Sequence, residues 1–181
     1  MIPASEVLIR PYRESDVPAA WDAICESRTA LERWMPWCHS SYSIDDCRSW
    51  IEAQIPAFAR GTAFEFAIVS PDDGYMGGCG LNRLDPLNRR ANLGYWVRTS
   101  AIRRGVATRA VRELRDWAFE HTPLIRLEVV VAVGNVASEG VATRAGATRE
   151  GVLRSRLLLH GVVHDAIMFS FVGAECPGDD R

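Results

Sequence analysis

The sequence predicts one α/β domain built on a mixed sheet. Three observations carry this. Three strand-like segments between residues 63 and 98 are joined by short turn signals, which favours antiparallel hairpins. From Arg103 onward helical and strand patterns alternate. Within that second half, residues 124–133 are almost wholly apolar, as a strand buried on both faces should be.

Taken in order, residues 6–10 alternate weakly and read as a first strand, ended by Pro11. Residues 13–27 read as a helix, with Val17, Ala20, Trp21 and Ile24 at helical spacing and Glu14 or Ser15 near its start. A second short helix is expected over 30–35, before Pro36 breaks it. Ser43-Ile44-Asp45-Asp46 is a helix-start signature, and the helix continues through Trp50, Ile51 and Ile55. Strands follow at 63–69, at 75–84 with glycines at 77, 78 and 80, and at 91–98; the turns fall at 71–74 and 85–90. Residues 103–120 form a helix whose apolar stripe includes Ala107, Ala110, Val111, Leu114, Trp117 and Ala118. A short helix over 135–145 ends at Gly146, and strands at 148–156 and 162–171 flank a turn at His160-Gly161. Residues 1–174 are expected to form the domain. Residues 175–181, polar with Pro and Gly, are expected to be a frayed tail.

The 181 residues suit one domain with a sizeable core. A net charge of −2 gives no global field for nucleic acid or anionic membrane, so neither is an expected partner. No apolar run approaches the roughly 20 residues that span a bilayer. The first ten residues lack a signal-peptide layout, and the five cysteines form no C-x-x-C pair. A reduced, cytoplasmic protein without a metal is expected. Cys38, His39 and Cys47 match no common zinc spacing and read as structural, and Cys79 reads as packing.

The chemistry concentrates in residues 96–112, W-V-R-T-S-A-I-R-R-G-V-A-T-R-A-V-R. A strand ends, a loop follows, and an amphipathic helix begins. The free N–H groups of its first turn and its dipole make an anion site. Gly105 lets a ligand approach the backbone, and Arg103 and Arg104 add charge where a pyrophosphate would sit. Arg98, Arg109 and Arg112 complete a local basic cluster. Neither G-x-x-x-x-G-K-[ST] nor G-x-G-x-x-G is present, so this is not a P-loop or a dinucleotide fingerprint. The residues alone leave a solvated, Arg-rich helix start equally open.

This stretch resembles the acetyl-CoA loop of the GNAT acetyltransferases, Q/R-x-x-G-x-G/A, and within them the ribosomal-protein N-terminal (RimJ/RimL-like) group. The resemblance covers nearly the whole chain. It runs through Leu8-Ile9-Arg10-Pro11, Leu31-Glu32-Arg33-Trp34-Met35-Pro36-Trp37 and the helix opened by Ser43. It continues through Gly77-Gly78-Cys79-Gly80-Leu81, Leu93-Gly94-Tyr95-Trp96-Val97, Arg104-Gly105-Val106-Ala107-Thr108 and Asn135-Val136-Ala137-Ser138. It closes with Gly146-Ala147-Thr148-Arg149-Glu150-Gly151 and Gly161-Val162-Val163-His164-Asp165. Two positions depart from the wider family. Ile102 stands where the loop opens on Gln or Arg. Ala142 stands where many members carry a Tyr acid.

The resemblance implies a GNAT fold, a mixed, mostly antiparallel sheet of about six to seven strands flanked by helices. It implies direct transfer of acetyl from acetyl-CoA to a primary amine, with a protein N-terminal α-amino group as acceptor. A small-molecule amine, such as an antibiotic or polyamine, is the alternative acceptor; a non-catalytic acyl-CoA sensor is the alternative function. The implied cofactor residues are Val97, whose backbone N–H would meet the thioester oxygen, then Arg103, Arg104, Gly105, Val106, Ala107, Thr108 and Asn135. Ser138 is the implied catalytic donor to the departing thiolate. Trp34, Trp37 and Asp165 are implied at the acceptor, and a homodimer is compatible with the family. Each role has a rival. Ser138 could only pack within its helix, and Asn135 could only cap it. The two tryptophans could be core, and Asp165 could be structural. Glu128 could be a base or could pair with an Arg. Glu65 is a further carboxylate that could reach the substrate side.

Overall fold

The computed structural model describes residues 7–72 and 74–173. The tail expected at 175–181, Glu6 of the first expected strand and Asp73 of the expected 71–74 turn lie outside the described residues. Among the described residues, seven strands form a single sheet and four helices cover its two faces. The elements are β1 (Leu8–Pro11), α1 (Val17–Trp34), α2 (Ile44–Ala59), β2 (Phe64–Ser70), β3 (Gly74–Asp85) and β4 (Arg90–Val97), followed by α3 (Val106–His121), β5 (Arg126–Ala132), α4 (Val136–Ala145), β6 (Thr148–Leu159) and β7 (Val162–Val172). The sheet order is β1-β2-β3-β4-β5-β7-β6. Every neighbouring pair is antiparallel except β4 with β5.

Period-two alternation divides the core. On β2, Phe66 and Ile68 join the cluster under α3 and α4, while Ala67 joins the cluster under α1 and α2. The α3 side buries Leu93, Leu114, Leu127 and Phe169. The α1–α2 side buries Ile24, Leu31, Ile51 and Tyr75, together with Cys38 and Cys47.

Two helix boundaries differ from expectation. The helices expected at 13–27 and 30–35 are one helix, because Val17, Ala20, Ile24, Ser27 and Leu31 make an unbroken buried stripe. Its approach, Glu14–Asp16, is a 3-10 turn. The helix expected from Arg103 begins at Val106, because Arg103 and Gly105 are left-handed, at φ 59° and 79°. α2 opens as its signature requires: Ser43 Oγ accepts from the Asp46 N–H at 3.2 Å, and the Asp46 carboxylate accepts from the Ser43 N–H at 2.8 Å.

The feature that positions the site is a splay. β4 and β5 pair in parallel at only three positions, Arg90 with Arg126, Ala91 with Leu127 and Asn92 with Glu128. Beyond Asn92 the strands part, and a cavity of about 630 Å³ opens between and around them.

Candidate active site

The cavity reaches both faces of the sheet through the gap between β4 and β5. Leu93, Gly94, Tyr95 and Trp96 line one side, and Val129, Val130, Val131 and Ala132 the other. The Arg98 N–H donates to the Met76 carbonyl at 2.8 Å, toward β3. By alternation, the N–H groups of Val97 and Tyr95 point into the gap, where no strand partners them. An extended chain has free backbone groups to pair with in such a gap, as an added strand would.

On the α3–α4 side, Asn135 and Ser138 both line the cavity. Asn135 is the N-cap of α4, its Oδ1 accepting from the Ser138 N–H at 3.2 Å. The cap therefore holds Ser138 in place, and capping and cavity lining coexist. The Tyr95 hydroxyl reaches across from β4, 2.9 Å from Ser138 Oγ, and donates to the Ser138 carbonyl at 3.0 Å. Burial pushes the Tyr95 phenol up to about 12, so it stays protonated at neutral pH. Ala142, at the position where many family members carry a Tyr, is fully buried. Sequence reasoning had no role for Tyr95.

On the α1–α2 side the walls are aromatic. Trp34 and Trp37 are both on the cavity wall, with Tyr12, Tyr42, Trp50 and Tyr75. Trp37 packs on Trp96 with ring centroids 6.2 Å apart and edge-on to Tyr42 at 5.4 Å. Tyr12 and Tyr75 join hydroxyls at 2.8 Å in a buried pair. Gly78 makes room for this pair, since a Cβ there would lie 2.5 Å from the Tyr12 hydroxyl. Glu65 lines the same side, and burial raises its carboxyl to about 7. The signal for this group was in the sequence: Gly78, Gly80 and Asn82 share one face of a strand by period two, an arrangement that leaves space for neighbours' side chains.

The α3 start follows β4 through Arg98 and a 3-10 turn, Thr99–Ala101. Arg103, Arg104, Gly105, Val106, Ala107, Thr108 and Val97 are not among the residues lining the cavity. A Cβ on Gly105 would meet no protein atom within 4 Å, so glycine supplies the left-handed turn there and leaves the outside of the helix start open. The basic cluster is partly spent. Arg98 pairs with Glu26, whose Oε1 also accepts the Ser100 N–H at 2.6 Å. Arg109 pairs with Glu113 at 2.6 Å, and Arg112 bonds the Arg144 carbonyl.

Two expected candidates fall elsewhere. The exposed Asp165 is not a cavity residue; its Oδ1 accepts the Ser155 N–H at 2.8 Å, across the irregular stretch of the β6–β7 ladder between Leu153 and Leu157. Glu128 is an ion-pair residue, 2.9 Å from Arg126 and 3.4 Å from Arg90. Among the described residues no cluster of His, Cys, Asp or Glu could hold a metal, and no helix is long and apolar enough to cross a membrane.

A sheet parted at two parallel strands, with an open glycine-led helix start beyond one of them, leaves room for an extended ligand with an anionic end. Comparison with known proteins agrees. The family model "Acetyltransferase (GNAT) domain" matches residues 6–148. YdaF of Bacillus subtilis (strain 168), provisionally named a ribosomal N-acetyltransferase, is 31% identical over 96% of this chain and 94% of its own. The ribosomal-protein-serine acetyltransferase of Escherichia coli (strain K12) is 28% identical over 93% and 94%. The solved structure of RimL, a ribosomal L7/L12 alpha-N-protein acetyltransferase in complex with coenzyme A, superposes with a TM-score of 0.86 at 25% identity, over 95% of this chain and 97% of that one. The chain belongs to the GNAT acetyltransferase family. It is an N-acetyltransferase, and acetyl-CoA is its co-substrate.

Proposed function

We propose that this enzyme acetylates the α-amino group of a protein N-terminus. The observation that carries the reading is the two-sided cavity, with a serine and tyrosine pair on one face of the sheet and an aromatic, carboxylate-bearing recess on the other. The relatives named for ribosomal-protein acetylation match it along nearly their whole length.

The roles follow from position. The backbone of Val106, Ala107 and Thr108, with Arg103 and Arg104 beside it, binds the pyrophosphate, and Gly105 sets the turn that aims those N–H groups. Asn135 and the free edges of β4 and β5 hold the pantetheine arm. Acetyl-CoA supplies the activated acetyl group. The Val97 N–H steadies the carbonyl oxygen as negative charge develops. Ser138, held by Tyr95, donates to the sulfur as it leaves. Trp34 and Trp37 flank the incoming N-terminal residue. Asp165 acts by shaping the β6–β7 ladder.

The test is release of CoA from acetyl-CoA with a panel of acceptors: peptides beginning with Ser, Ala, Thr or Met, N-blocked lysine peptides, polyamines and aminoglycosides. Turnover with the free N-terminal peptides supports the reading. Turnover confined to a small amine overturns the acceptor assignment and leaves acetyl transfer standing.

A further inference from the structure

Glu65 is a half-buried carboxylate whose proton is favoured by desolvation, with no ion pair to any described residue. It stands on β2 directly opposite Gly80 on β3. A Cβ at Gly80 would lie 1.8 Å from Glu65 Oε2, so the glycine is the space the carboxylate fills. Oε1 accepts from Asn82 Nδ2 at 3.2 Å, and Asn82 Oδ1 accepts from Asn92 Nδ2 at 3.0 Å. This chain crosses β2, β3 and β4 and fixes which end of the Asn82 amide faces Glu65. Oε2 receives no hydrogen bond from a described residue, while the side chain lines the cavity on its aromatic side. A buried carboxylate normally has a cation or several donors. Glu65 has one neutral donor, and its Oε2 lies over Gly80 with no donor from a described residue, on a side chain that lines the cavity.

We propose that Glu65 is a catalytic residue that receives the acceptor ammonium at Oε2 and takes its proton. The inference rests on the acetyl-transfer reading above. One ammonium proton passes to Glu65 and on to solvent. The freed lone pair forms the C–N bond to the acetyl carbon, and the C–S bond breaks with its electrons on sulfur. The second nitrogen proton, shed as the tetrahedral centre collapses, ends on the CoA thiol.

The acid–base match supports this. Burial brings the Glu65 carboxyl to about 7, close to the value of about 8 for an α-amino group. Little free energy separates the two proton sites. The other ionisable groups facing this side do not titrate in that window. Burial raises Tyr12, Tyr42, Tyr75, Cys47 and Cys79, while Ser43 holds Asp46 below the ordinary carboxylate range.

The test is the pH–rate profile of wild type, Glu65→Gln and Asn82→Ala, with whichever acceptor of the panel turns over, alongside acetyl-CoA affinity and thermal melting. Glu65→Gln is expected to fold, to bind acetyl-CoA as wild type does, and to lose about a hundredfold to a thousandfold in kcat/KM. Its profile is expected to lose the acidic limb near pH 7. Asn82→Ala removes a donor to the charged form, so its limb is expected to move to higher pH. A Glu65→Gln enzyme that keeps its rate overturns the proposal, as does one that slows but keeps the limb in place. The acceptor assignment is tested separately, by which amine turns over.

Discussion

The Tyr95 hydroxyl lies 2.9 Å from Ser138 Oγ and donates to the Ser138 carbonyl, so a β4 side chain braces the first turn of α4. Ala142 on α4 carries no phenol, and the phenol beside Ser138 is that of Tyr95 on β4. A serine alone is a weak acid; held by a tyrosine, its hydroxyl is already oriented. Ser138→Ala is expected to lower kcat about tenfold to a hundredfold, the loss of one hydrogen bond to developing charge, with acetyl-CoA affinity unchanged. Tyr95→Phe should cost less. The double variant should resemble Ser138→Ala alone, because the two act as a unit. Single-turnover rates and calorimetric binding check this.

Glu65 also sets a pH dependence of stability. Its folded value, about 7, is raised above the ordinary 4.5. The protonated form is therefore favoured by folding, and its stabilisation is fully present below about pH 4.5 and lost as pH rises through about 7. Relative to Glu65→Gln, the wild type is expected to weaken across that window by up to about 3 kcal/mol and then level off. Denaturant melts of both proteins from pH 4.5 to 8.5 measure the difference. Parallel curves would contradict it.

Gly105 is left-handed at φ 79°, and a Cβ there meets nothing. Gly105→Ala is therefore expected to cost about 1–2 kcal/mol through backbone conformation alone. The same change disturbs the aim of the first-turn N–H groups. Calorimetry should show acetyl-CoA binding weakened about tenfold, with kcat at saturating acetyl-CoA little changed.

Trp37 is 36% exposed at the cavity wall and rests on Trp96. Trp37→Ala is expected to raise the acceptor KM by about three- to tenfold, as loss of an aromatic contact would. Acetyl-CoA affinity should not move. A change confined to melting temperature would make Trp37 a packing residue only.

Strong local signals were legible in the sequence. The capping box at Ser43, the apolar run of β5 and the glycine that opens α3 each depend on neighbours in the chain, though β5 buries one face fully and the other only in part. Helix joins were less so, because the α1 stripe through Ser27 and Leu31 is held by packing on the sheet. Ser138 and Asn135 were singled out by the family resemblance rather than by the residues alone, and both line the cavity. Tyr95, Asn82 and Asn92 were not assigned, since their roles exist only once β2, β3, β4 and α4 come together. For Asp165 and Glu128 the sequence left structural and functional roles open, and the partners that bear on the choice, the Ser155 N–H for one and Arg126 and Arg90 for the other, are fixed only once the strands form and pair.

The most direct test uses a peptide with a free N-terminal serine and an internal lysine, incubated with acetyl-CoA and enzyme and sequenced by mass spectrometry. The account predicts one acetyl group, on the α-amine, with stoichiometric CoA release. Acetyl on the lysine alone, or no CoA release from this peptide, would contradict it.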